Sequence, residues 1–202
     1  MSTKRVVIPG SVPLEGRLRE GEGTKGVIVC HPHPLYGGSM HNNVVDALEE
    51  GFSTSGFTTL CFNFRGVGTS GGDYDEGLGE VDDLVEAAAY VRGTLQEDAA
   101  LVLAGYSFGA WIAAMAAARI DSVGALCLVA YPFSVYPADP LNAFGGPIYF
   151  FAGSMDEIAP ADRLMQVCED LTKERHMKVV ASSHFFPGWE LAITEFVTGH
   201  FS

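Results

Sequence analysis

The chain has 202 residues, 48% of them hydrophobic and 18% charged. That composition suits one compact globular domain spanning 1–202 and excludes a disordered or low-complexity chain. The formal net charge of −13 would repel nucleic acid and anionic membrane surfaces, so neither is expected as a partner, and it mildly favours neutral or cationic substrates.

In chain order, the N-terminus offers only Val6-Val7-Ile8 as an apolar run, too short for a secretory signal. No later stretch reaches the roughly 18 apolar residues of a membrane span, which predicts a soluble, cytoplasmic protein. Short strands near Arg5–Ile8 and Leu14–Arg19 predict an antiparallel hairpin. GVIVC at 26–30 is a third strand, followed by HPHPLYGGSMHNN and helical periodicity over 42–55. TTLCFNF at 58–64 follows, then RGVGTSGG and a helix over 79–95. ALVLAG at 100–105 runs through Gly-Tyr-Ser-Phe-Gly into a helix over 107–119. GALCLVA at 124–130, PIYFFAG at 147–153 and MKVVA at 177–181 complete the strands, with helices over 160–174 and 188–199.

From residue 26 onward strands and helices alternate, and the apolar runs are continuous, as in strands buried on both faces. The fold class is therefore α/β: a mostly parallel sheet of about eight strands flanked by helices. Right-handed crossovers bring the C-terminal ends of the parallel strands to one edge, where such sheets bind ligands. Cys30, Cys61 and Cys127 lie in apolar runs, and Cys168 is far from them, so all four read as reduced, buried thiols. Residues 70–98 hold nine acidic residues against one basic residue, Arg92. With no ligand-loop spacing among Glu80, Asp82, Asp83 and Glu86, this stretch reads as a solvated helix face and loop.

The polar loops at the strand ends carry the chemistry. A serine hydroxyl is a weak nucleophile and needs a base and a receptor for negative charge. In Gly105-Tyr106-Ser107-Phe108-Gly109 a strand turns directly into a helix, which exposes Ser107 while the flanking glycines allow close packing. Phe108 N–H, at the positive end of the helix, is the expected first oxyanion donor. The motif alone arises often by chance, and a serine helix cap would account for it. Further strand ends supply Asp156, with Glu157 as the fallback carboxylate, and His184, in the chain order Ser, Asp, His. That order makes Ser107 the nucleophile, His184 the general base and Asp156 the group that orients it.

With these residues in view, HPHPLYGG, FNFRGVGTSGG, GYSFGA, GSMDEIAP and SSHFF resemble a small bacterial serine hydrolase of the α/β-hydrolase superfamily, in the lid-poor group of dienelactone hydrolases and short-chain esterases. The resemblance spans 26–202 and implies that fold with a minimal cap or none, since only YPFSVYPADPLNAFGG separates the sixth and seventh strands. It places the second oxyanion donor in the loop after the third strand. Pro32 and Pro34 have no N–H, so His33 takes the equivalent position, with Leu35 and Tyr36 as alternatives. His31, His33 and His41 are not expected to bind a metal, because no nearby carboxylate completes a ligand set, and no cofactor is implied. Leu35, Tyr36, Phe108, Trp111, Phe133, Tyr136 and Phe185 are candidate walls of an open cleft, some of which could simply be core. The function this suggests is hydrolysis of a small-molecule carboxylic ester or thioester through an acyl-serine. Peptide or amide cleavage on the same groups and a non-catalytic, ligand-binding role stay open. A homodimer is compatible with the sequence and not required by it.

Overall fold

A computed structural model describes residues 3–202; Met1 and Ser2, part of the expected domain span, lie outside the described residues. The strands are β1 (Thr3–Ile8), β2 (Leu14–Arg19), β3 (Lys25–Cys30), β4 (Thr58–Phe62), β5 (Ala100–Tyr106), β6 (Val123–Val129), β7 (Ile148–Gly153) and β8 (Arg175–Val180). They form one eight-stranded sheet in the order β1-β2-β4-β3-β5-β6-β7-β8. The hairpin β1-β2 and the pair β2-β4 are antiparallel and every other pair is parallel.

The helices are α1 (Asn43–Thr54), α2 (Leu78–Arg92), α3 (Phe108–Ala116), α4 (Asp139–Ala143), α5 (Ala161–Asp170) and α6 (Glu190–Phe201). Side-chain alternation explains why the central strands read as unbroken apolar runs. Ile28, Leu60, Leu103, Leu126 and Phe150 face a core shared with α2, α3 and α5. Val27, Val29, Cys61, Val102, Cys127 and Phe151 face a second core under α1 and α6. Every residue of β4 is buried, whereas β2, with one face open, alternates between buried and half-buried.

Two details differ from the sequence reading. Short α4 was not foreseen; with a proline in its first turn it spans five residues and is the only helix between β6 and β7. The acidic stretch is not simply solvated, because Glu80 and Asp83 are fully buried. Glu80 caps the start of α2, accepting from the N–H groups of Asp75 (2.9 Å) and Gly77 (2.7 Å). Asp83 accepts from the Arg65 backbone N–H (2.8 Å), Nε (3.0 Å) and Nη2 (2.8 Å). Burial was affordable for these carboxylates because each meets donors fixed by the β4-α2 loop. That loop is thereby pinned against α2, while all four cysteines are free and buried as expected.

Candidate active site

Ser107 sits between β5 and α3 with φ 55° and ψ −120°, a region that L side chains rarely occupy. Surrounding packing enforces it. A Cβ on Gly105 would lie 2.3 Å from the Gly109 carbonyl oxygen, and one on Gly109 would lie 2.4 Å from that of Cys30. Only glycine at both positions lets α3 start this close to β5 and β3. The Ser107 N–H donates to the Val129 carbonyl at 2.9 Å, which ties the turn to the neighbouring strand end.

The three residues expected from separate strand ends come together as one hydrogen-bonded chain. Ser107 Oγ lies 2.9 Å from His184 Nε2, and His184 Nδ1 lies 2.7 Å from Asp156 Oδ2. Asp156 Oδ1 accepts from the N–H groups of Ile158 (2.9 Å) and Ala159 (2.8 Å), so the carboxylate is held at both oxygens. An ionised carboxylate only accepts, so it sets His184 as the Nδ1–H tautomer and leaves the Nε2 lone pair facing the serine. Ser107, Asp156 and His184 are all buried. Glu157, the fallback, points to solvent and is not part of this chain.

Phe108 is the first residue of α3, and the N–H groups of a helix's first turn have no carbonyl partner within the helix. In the loop after β3, Pro34–Tyr36 form a 3₁₀ turn capped by His33. The Leu35 N–H donates to His33 Nδ1 (3.2 Å) and the Tyr36 N–H to the His33 carbonyl (3.1 Å). Both alternative oxyanion donors are thus occupied inside the turn. Among the described residues, the backbone N–H of His33 has no such partner.

His31 serves the framework: its Nδ1–H donates to the Pro32 carbonyl (2.6 Å) and its Nε2 accepts the Phe64 N–H (3.0 Å). Burial pushes its pKa down to about 4. Among the described residues no cluster of three His, Cys, Asp or Glu side chains is arranged to hold a metal.

The candidate wall residues take different positions. Phe108 is buried beneath His33 (ring centroids 4.8 Å apart), with Trp111 at 5.7 Å and Tyr136 at 6.1 Å. Trp111 and Tyr136 are stacked at 4.0 Å. Leu35, Tyr36 and Phe185 are largely exposed, and the Phe185 ring stands edge-on to His184 at 5.8 Å. Phe133 leans on Tyr131 (4.6 Å) beside the α2/α3 core. Two aromatic residues escaped sequence reasoning. Tyr106 donates its hydroxyl to the His184 carbonyl at 2.8 Å; a tyrosine at a buried strand end needs such a partner, which was the available signal. Tyr74, among acidic residues, places its hydroxyl 3.2 Å from His33 Nε2.

A parallel sheet whose strand-to-helix turn lifts a serine toward a histidine and a carboxylate from later strand ends is the architecture of an α/β hydrolase. The chain belongs to the Alpha/beta hydrolase family, which it matches over residues 27–197. An uncharacterized protein of Rickettsia prowazekii is 32% identical over 184 residues, covering 86% of this chain and 77% of that protein. An alpha-beta serine hydrolase homologue from Coxiella burnetii has a TM-score of 0.92 at 33% identity, covering 100% of this chain and 99% of its own. A Xanthomonas campestris member of the serine hydrolases without a lid gives 0.89 at 31% identity, with 98% and 93% covered. Among the described residues this chain likewise shows no cap domain: α4 is the one helix between β6 and β7.

Proposed function

We propose that the protein is a serine hydrolase that cleaves small carboxylic esters or thioesters through an acyl-Ser107 intermediate. The observation that carries this reading is the hydrogen-bonded chain Ser107–His184–Asp156 at 2.9 and 2.7 Å. The two serine hydrolase relatives above, each more than 30% identical, support it.

In this scheme Ser107 Oγ attacks the acyl carbon while its proton passes to His184 Nε2, and Asp156 stabilises the imidazolium. The substrate oxygen takes the displaced electron pair and faces the N–H groups of Phe108 and His33. Collapse of the tetrahedral species breaks the bond to the leaving oxygen or sulfur, which takes the proton from His184. Water repeats the sequence: it gives a proton to His184, attacks the acyl carbon, and frees Ser107 and the acid.

The test is turnover of p-nitrophenyl esters from C2 to C12 together with covalent labelling by a fluorophosphonate. Both are expected in the wild type and lost in Ser107→Ala. Equal labelling of that variant refutes the assignment of the nucleophile.

A further inference from the structure

The ring of His33 has no part in the chemistry just described, yet both its nitrogens are engaged. Nδ1 accepts the Leu35 N–H at 3.2 Å, and Nε2 lies 3.2 Å from the Tyr74 hydroxyl oxygen. A neutral imidazole carries one N–H, so accepting at Nδ1 fixes the hydrogen on Nε2, which therefore donates to Tyr74. This is the opposite tautomer to that of His184 and His31. Burial lowers the His33 pKa, with the Glu80 carboxylate opposing the shift, which keeps the ring neutral. The His33 carbonyl meanwhile accepts from the N–H groups of Tyr36 (3.1 Å) and Gly38 (3.1 Å).

His33 is thus fixed at its ring, at its carbonyl, and by ring contacts with Phe108 (4.8 Å), Tyr36 (4.8 Å) and Tyr74 (5.0 Å). What these contacts aim is the one group left over, its backbone N–H. Tyr74 is itself well founded. Its neighbour Asp75 donates its N–H to the buried carboxylate of Glu80, and Arg65 in the same loop is clamped by Asp83. The loop after β4 is therefore a rigid bracket, and Tyr74 is the arm that reaches the loop after β3.

We propose that Tyr74 is a positioning residue: through the His33 ring it holds the backbone N–H of residue 33 where negative charge develops on the substrate oxygen. This rests on the serine hydrolase reading. An oxyanion donor acts only in the transition state, and a misplacement of an ångström forfeits much of its effect. Loss of the Tyr74 hydroxyl should therefore lower kcat and leave KM alone. The phenyl ring of Tyr74→Phe retains the packing against His33 and Phe108.

The test is a double-mutant cycle on p-nitrophenyl acetate turnover with Tyr74→Phe and His33→Asn. Asn keeps an acceptor for the Leu35 N–H but cannot reach Tyr74. Each single variant is expected to lose about tenfold in kcat with KM within about twofold, and Tyr74→Phe is expected to cost nothing further in the His33→Asn background. Nitrogen-detected NMR of the wild-type ring should report the Nε2–H tautomer of His33 near pH 7. A Tyr74→Phe enzyme with wild-type kcat, additive losses in the cycle, a loss confined to KM, or an Nδ1–H tautomer each overturns this inference while leaving the hydrolase reading intact. Wild-type protein that neither turns over the ester nor takes the fluorophosphonate overturns both.

Discussion

The Tyr106 hydroxyl donates to the carbonyl of His184 at 2.8 Å, so the residue preceding the proposed nucleophile ties down the segment that carries the proposed base. Two of the three side chains are thereby registered to one another through the backbone as well as through the 2.9 Å Ser107–His184 hydrogen bond. Tyr106→Phe leaves that carbonyl without its donor, at a cost of about 1–3 kcal/mol in stability. Because the histidine loop loses its tether, kcat is expected to fall by roughly tenfold, equivalent to about 1.4 kcal/mol of transition-state stabilisation. Steady-state kinetics beside a urea melt checks it; unchanged kcat contradicts it.

The backbone at Ser107, φ 55°, stores strain that a glycine would relieve. At an ordinary site glycine is less stable than alanine by about 0.5–1 kcal/mol. Here the order reverses, because a non-glycine residue in this region carries about 1–3 kcal/mol of strain. Ser107→Gly should therefore melt at or above the temperature of Ser107→Ala, with both inactive. Calorimetry of the pair decides, and a clearly lower melting temperature for the glycine variant removes the strain argument.

His31 gives the fold a defined sensitivity to acid. Burial holds its folded pKa at about 4, against an ordinary value of 6.5. Below pH 6.5 the unfolded chain takes up a proton that the folded chain refuses, so stability is full above that pH and falls as pH drops toward 4. The loss from this one residue approaches roughly 3 kcal/mol. Urea unfolding at pH 7, 5.5 and 4.5 should show a steeper decline for the wild type than for His31→Gln. Parallel declines would count against the assignment.

Removal of Asp83 is expected to cost far more than removal of a surface acid. Asp83 is fully buried and the Arg65 side chain is 14% exposed, so Asp83→Ala strips the guanidinium of its hydrogen-bonded carboxylate and leaves it the charges of Glu80 and of Asp75, 3.9 Å away. Breaking such a pair costs about 3–5 kcal/mol, which for a chain of this size lowers Tm by roughly 10 °C. Asp82→Ala, at a half-exposed pair with Arg119, should shift Tm little. Differential scanning fluorimetry of the two variants tests the contrast.

The fold was legible because its central strands are buried on both faces: the runs at 27–30 and 101–104 carry that burial openly in their composition. The meeting of Ser107, Asp156 and His184 was suggested by the sequence for a related reason, since each lies within four residues after a strand end. What stayed hidden depended on partners that the sequence pattern does not mark. Glu80 and Asp83 look like solvent-facing acids until Gly77 and Arg65 are brought to them, and their type alone says nothing of that. Tyr74 and Tyr106 look like ordinary aromatics until the hydroxyl of each meets a histidine segment 41 and 78 positions away. Short α4 was missed because a five-residue helix with a proline in its first turn leaves no periodicity to detect.

Among the described residues no cap stands above the sheet edge, since five-residue α4 is the only helix between β6 and β7. In the proposed reaction, with no cap to move, the acyl group on Ser107 is expected to meet whatever nucleophile the medium supplies, water included. Methanol or hydroxylamine added during turnover should divide the product between transfer and hydrolysis in proportion to concentration, with no lag while a gate opens.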